Sequence, residues 1–381
     1  MKQTNLSTLR LALLLLIFVP AASLARKGLT ADQARELRDK AIATWKTDLQ
    51  KQYTEEWDNL CLHIEDRTMP LFMTTYGQMP EGGRSLYISL HGGGNIPSAY
   101  NDQQWENQHY LYKPAEGVYI APRAPYDDWD MHCKPLLDRF YERIIQLAVV
   151  FEDVNPDRVY LMGYSAGGDG VWRMAPRMAD SWAAASMMAG HPGDVRLENL
   201  RNTPYMIWCG ELDEAYNRNT LCAERGCQMD SLEQADRYGG YLHQTHIVEG
   251  KGHWMDRVDT AAVEWMSRFT RKPYPTRLVW RQEEVLRPAF AYVSVPKDEM
   301  ERGKEIRIER KDNVIEITHC DYQHVTLWLN DDMVDLDQKV EVRKNGKRVF
   351  RKRLKRDAEL IKQTMLERGD PRYVFSAKIE L

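Results

Sequence analysis

Long apolar runs are scarce in this chain. The one from Leu11 to Val19 falls far short of the roughly 20 residues that a membrane-spanning helix needs. Charge of one sign is lacking too. The formal net charge is -4 with 28% charged residues, so no global field favours nucleic acid or another acidic polymer as partner. Internal repeats and low-complexity tracts are absent, which excludes solenoid and disordered-array architectures. Neither a second close cysteine pair nor a spaced histidine pair completes a four-ligand metal set. The acidic stretch "NDDMVDLDQ" lacks the spacing of an EF-hand loop and reads as a turn.

What is present begins with Lys2 and Arg10 ahead of the short apolar run, followed by small residues at Ser23 and Ala25. This is the layout of a secretory signal peptide over residues 1–25, with cleavage expected after Ala25 and a secreted or periplasmic destination. An uncleaved anchor would need a longer apolar run. No cysteine follows the run, so the lipoprotein pattern is missing. In an oxidising compartment the six cysteines, Cys61, Cys133, Cys209, Cys222, Cys227 and Cys320, become candidates for bridging. Cys222 and Cys227 in "LCAERGC" are the favoured pair, on the expectation of a Gly-containing loop between them.

A length of 381 residues allows about two domains. Residues 26–64 form an N-terminal helical segment. Ala34, Leu37, Ala41 and Trp45 recur at spacings of three and four, and Thr30 stands where a cap is wanted. Residues 65–275 alternate short apolar runs ("SLYISL", "GVYIAP", "RVYLMG", "PYMIWCG") with helix-like stretches. That alternation predicts an α/β domain with a mostly parallel sheet flanked by helices. At "KPYPTRLVW" two prolines mark a boundary. Residues 276–381 then form a smaller β-rich domain, with a hairpin turning at Asn345–Gly346.

The chemistry gathers at the ends of the apolar runs. In "GYSAG", Gly163 and Gly167 flank Ser165 in the Gly-x-Ser-x-Gly pattern of a nucleophile elbow, although a plain strand-to-helix turn with a capping serine would look alike. "LYISLHGGGN" runs a strand into three glycines. Such glycines can present backbone N–H groups to an oxyanion, as they can also simply form a flexible turn. "PYMIWCGELDE" ends a strand in carboxylates. Asp213 is the candidate to orient an imidazole, with Glu211 and Glu214 as competitors. In "GKGHW", His253 sits on a loop and can reach a serine proton. His191 precedes the acid, out of order for the base, and joins His91, Tyr164 and Trp129 as a candidate for the substrate pocket. Core packing is the alternative for Trp129.

With "HGGGN", "GYSAGG", "GELDEAYN" and "GKGHW" in this order, residues of about 65 to 270 resemble the α/β-hydrolase superfamily. The likeness is nearest to secreted esterases and predicted peptidases of the polyhydroxybutyrate-depolymerase-like and feruloyl-esterase-like groups. It implies Ser165 as nucleophile, His253 as general base, Asp213 as orienting acid, and the N–H of Ala166 with one from Gly93 or Gly94 as oxyanion hole. It also implies a small-molecule or polymer-linked ester as substrate and no metal or organic cofactor. Many depolymerase relatives carry a cysteine in the oxyanion motif where this chain has glycines. A peptidase using the same three residues, or a non-catalytic envelope binding protein on this scaffold, are the rival readings. The eight basic residues between Lys344 and Arg356 read as a solvated hairpin face or as a weak contact for anionic envelope material.

Overall fold

The computed structural model describes residues 28–381. The signal-peptide reading of residues 1–25 therefore lies outside the described residues. The first element is helix α1 (Ala31–Asp58), closed at its start by a capping box. Thr30 Oγ1 accepts the Gln33 N–H at 3.2 Å while Gln33 Oε1 accepts the Thr30 N–H at 3.0 Å. Among the described residues no helix is long and apolar enough to cross a membrane.

An eight-stranded sheet follows, built from β1 (Cys61–Ile64), β2 (Arg67–Tyr76), β3 (Arg84–Leu90), β4 (Gly117–Pro122), β5 (Val154–Tyr164), β6 (Ala184–Met188), β7 (Tyr205–Gly210) and β8 (His243–Val248). Its spatial order is β1-β2-β4-β3-β5-β6-β7-β8. β1 and β2 run antiparallel, and the strands from β4 onward pair in parallel. The first strand begins at Cys61, inside the stretch expected to be helical. Central strands such as β3, β4 and β6 are buried along nearly their whole length, as parallel strands covered on both faces must be. The covering helices are α2 (Ser98–Gln108), α3 (Leu137–Phe151), α4 (Ala166–Arg177), α5 (Arg218–Ala235) and α6 (Ala261–Ser267). This strand order is that of the α/β-hydrolase fold, with a smaller β-rich unit appended.

The appended unit starts at β9 (Arg277–Arg281); β10 (Ala289–Phe290), β11 (Val293–Ser294), β14 (Thr326–Leu329) and β17 (Ala377–Glu380) form a four-stranded sheet, and β9 joins a five-stranded one with β12 (Glu305–Lys311), β13 (Val314–Cys320), β15 (Lys339–Lys344) and β16 (Lys347–Arg353). β15 and β16 turn at Asn345 and Gly346, both at positive φ, the backbone shape a two-residue hairpin requires. β16 is the sheet edge and is largely exposed. A helix, α7 (Ala358–Arg368), packs against α1. Arg271, buried between the two units, pairs with Asp157 at 3.0 Å and Asp370 at 2.6 Å. The carboxylates of the "NDDMVDLDQ" turn hold Arg356, through Asp331 and Asp337 at 2.7 Å each.

The favoured Cys222–Cys227 bridge does not form. The intervening residues lie in α5, where a separation of five places two side chains about 140° apart around the axis. Cys222 is buried against the thiol of Cys209, whereas Cys227 is exposed, and all six cysteines are free.

Candidate active site

Ser165 sits between the end of β5 and the first residue of α4, with φ 58° and ψ -121°. A non-glycine residue in that region carries about 1–3 kcal/mol of backbone strain, sustained only because its surroundings fix it. The surroundings here are glycines. A Cβ on Gly163 would stand 2.5 Å from the Gly167 carbonyl oxygen, and one on Gly167 would strike the backbone of Leu90 in β3. Helix and strand can therefore touch, and the serine is pushed out at the sheet's carboxyl end. Ser165 N–H is held by the Met188 carbonyl at 2.9 Å, and its side chain makes no capping bond to the helix.

His253 Nε2 lies 2.9 Å from Ser165 Oγ, and His253 Nδ1 lies 2.8 Å from Asp213 Oδ2. The Asp213 side chain is 1% exposed and the imidazole 43%, so the carboxylate is fixed in the interior while the ring faces the cleft. The second carboxylate oxygen, Oδ1, meets Arg218 at 3.5 Å. The acid and histidine loops are laced together. Glu211 Oε2 accepts the Gly250 N–H at 2.8 Å, and the Leu212 N–H donates to Lys251 O at 2.8 Å. Glu211 thus anchors the loop, and Glu214 is exposed.

The glycine loop lies against this chain. A Cβ on Gly92 would stand 3.3 Å from Ser165 Cβ. Gly94 is removed as an oxyanion donor, because its N–H donates to Asn101 Oδ1 at 2.8 Å. Gly93 N–H has no protein acceptor among the described residues. With the Ala166 N–H at the open start of α4, it leaves two donors on the serine's flank. Asn101 is buried and is itself held by Asp127, which Arg123 grips at 2.6 Å. Neither Asn101 nor Arg123 stands out in the sequence, since their part depends on α2 folding back over the loop.

Two pocket candidates turn out to be supports. Tyr164 is buried, and its hydroxyl donates to the His253 carbonyl at 2.6 Å while accepting the Met255 N–H at 3.2 Å. It pins the histidine loop from beneath. His91 is fully buried: Nδ1–H donates to Gly92 O at 2.7 Å, and Nε2 accepts the Ala124 N–H at 3.1 Å. His132 Nε2–H in turn donates to the His91 carbonyl at 2.9 Å. Trp129 and His191 do border the cleft, the first half-exposed beside Gly94 and the second partly buried after β6.

Burial holds the His91 pKa well below its ordinary value of 6.5 and brings that of His132 down to about 3. Below pH 6.5 the unfolded chain binds protons that these rings refuse in the folded state. Their stabilisation is therefore complete above 6.5 and is lost as pH falls below it, for His132 down to about 3. Calorimetry is expected to show Tm falling between about pH 7 and pH 5, with a shallower fall in His132→Gln. Equal slopes would mean that these rings do not report on acid stability.

No family model matches this chain, and no curated protein does. Among solved structures, a thermostable esterase is similar with 18% identity and a TM-score of 0.41, over 56% of this chain and 64% of that one. The match thus spans less than two thirds of that protein. The BES protein from Bacillus cereus is similar at 12% identity and a TM-score of 0.40, over 55% of this chain and 92% of that one. The feruloyl esterase module from Clostridium thermocellum, complexed with sinapinate, is similar at 13% identity and a TM-score of 0.38, over 53% and 83%. The assignment of this chain to the α/β-hydrolase fold rests on its own strand order and elbow.

Proposed function

We propose that this chain is an exported serine hydrolase that cleaves a carboxylic ester through an acyl-enzyme. The observation that carries the reading is the unbroken hydrogen-bonded chain Ser165–His253–Asp213, assembled from the ends of β5, β7 and β8. Ser165 Oγ attacks the acyl carbonyl as His253 Nε2 takes its proton. The oxyanion is met by the N–H of Ala166 at the start of α4, where the helix dipole adds to it, and by the N–H of Gly93 on the loop after β3. Asp213 keeps the proton of His253 on Nδ1, so that Nε2 is free to act as base, and stabilises the imidazolium that forms. The imidazolium protonates the leaving alcohol. Water, activated by the same ring, then releases the acid. Export is supported by the sequence of residues 1–25 alone.

The test is a matched pair, p-nitrophenyl butyrate and the corresponding p-nitroanilide, followed from the first turnover. A stoichiometric burst on the ester, with the acyl group found on Ser165 by mass spectrometry and the anilide untouched, is expected. Preferential anilide cleavage would make the chain a peptidase. Binding of an ester without turnover would leave a non-catalytic scaffold.

A further inference from the structure

Three arginines stand around the Ser165 cleft, and among the described residues only Arg218 pairs with a carboxylate, Asp213 at 3.5 Å. Arg173 lies on α4 two turns beyond the serine, and Arg218 and Arg225 lie on α5. Arg173 stacks over Trp129 with its guanidinium 5.4 Å from the ring centre, and Arg218 stacks over Tyr216 at 5.0 Å. Both rings face solvent, at 54% and 75% exposure. A planar guanidinium held on an aromatic face keeps its edge N–H groups directed outward.

The partners of Arg173 and Arg225 are carbonyls. Arg225 Nη2 donates to Gly193 O at 2.7 Å, and Arg173 Nη1 donates to Asp169 O at 3.3 Å. Neither forms an ion pair with a carboxylate among the described residues. The nearby acids are committed elsewhere. Asp213 takes the His253 N–H and meets Arg218, Asp194 pairs with Arg302 at 2.6 Å, and Asp128 and Asp130 both pair with Lys134 at 2.9 Å. Asp169 accepts the His191 N–H at 2.6 Å, and burial raises its pKa.

His191 stands at the focus. Its Nδ1 accepts the Gly193 N–H at 3.1 Å, which leaves the proton on Nε2 as a further donor. Arg173 and Arg225 converge on the same Gly193, since Arg225 donates to its carbonyl and a Cβ on Gly193 would stand 2.5 Å from Arg173 Nη2. Trp129, beneath Arg173, lies against the glycine loop beside the serine, since a Cβ on Gly94 would stand 2.8 Å from Trp129 Cα.

We propose that Arg173, Arg225 and His191 form an anion subsite, and that the ester hydrolysed at Ser165 carries a carboxylate beside the scissile bond. The inference rests on the serine-hydrolase reading and adds the substrate class to it. A solvated basic rim would leave the rate indifferent to substrate charge. A subsite makes the rate depend on it.

Two matched pairs test this: an aryl glutarate half-ester against the aryl pentanoate, and acetyloxybenzoate against phenyl acetate. They place the carboxylate on the acyl and the alcohol side respectively. At least one pair is expected to favour the acid by about 10- to 100-fold in kcat/KM, the span of one or two charged hydrogen bonds. That preference is expected to shrink in about 1 M salt, where the Debye length is about 3 Å. It should also fall several-fold in Arg225→Gln and further in Arg173→Gln/Arg225→Gln. The readout is the acid-to-neutral ratio, taken on protein whose Ser165 still reacts stoichiometrically with a fluorophosphonate. Ratios at or below unity in both pairs, or a ratio insensitive to salt and to both variants, would overturn the subsite while leaving the hydrolase intact. Failure to turn over the neutral esters, with no label on Ser165, would instead bring down the hydrolase reading itself.

Discussion

Ser165→Ala is expected to lower kcat on an aryl ester by about 10⁴- to 10⁶-fold, the cost of removing the nucleophile from a hydrogen-bonded unit of this kind. That is about 5 to 8 kcal/mol of barrier. Fluorophosphonate labelling should vanish with it. The fold has little reason to suffer. The serine side chain makes no capping bond, its one hydrogen bond is to the half-exposed His253 ring, and alanine meets the same positive φ as serine does. Thermal unfolding of the variant within about 2 °C of the parent, together with lost turnover, would separate chemistry from stability. Retained labelling in the variant would mean that another nucleophile does the work. Ser186 and Ser89 are poor alternatives, since both are fully buried within strands.

The positions of the three chain-forming residues were legible because each ends an apolar run at a glycine. Gly163, Gly210 and Gly252 punctuate the strands and loops from which Ser165, Asp213 and His253 project. A Cβ on Gly210 would stand 2.9 Å from the Gly252 carbonyl carbon and one on Gly163 2.5 Å from the Gly167 carbonyl oxygen, so these two glycines let the segments touch, whereas a Cβ on Gly252 would meet nothing. The two-unit organisation was legible for a similar reason, as strand-rich periodicity changes after the prolines near residue 275. What stayed hidden depends on contacts between distant segments. Gly94 loses its donor role to Asn101 of α2. Tyr164 and His91 look like cleft residues beside their motifs, yet both point down into the packing beneath the loops. The glycine in "LCAERGC" reads as a loop breaker, but in α5 its bare Cα lets Thr245 of β8 approach, since a Cβ there would lie 2.6 Å from Thr245 Oγ1. The arginines around His191 come from two helices, and no local spacing announces that they meet.

Asp213→Asn tests a subtler demand than removal of the nucleophile. Asparagine keeps the shape and can still reach His253, but its amide nitrogen is a donor, and the imidazole Nδ1 already carries the proton that Asp213 accepts at 2.8 Å. To pair with the amide N–H the ring must move its proton to Nε2. That turns a donor toward Ser165 Oγ and leaves no base. A fall in kcat of about 10⁴-fold at neutral pH is expected, about 5 kcal/mol. Stability should fall as well, because Arg218 loses the carboxylate at 3.5 Å while its side chain is only 12% exposed. Breaking a buried pair by neutralising one partner costs about 3–5 kcal/mol at the upper end, and this long contact should lie below that. Calorimetry alongside kinetics resolves the two losses. Glu214→Gln supplies the control on the same loop. Its carboxylate is exposed, and activity within about threefold of the parent is expected, in line with the small effect of exposed charges. Should Glu214→Gln instead reproduce the collapse while Asp213→Asn stays active, the acid that orients His253 has been misassigned.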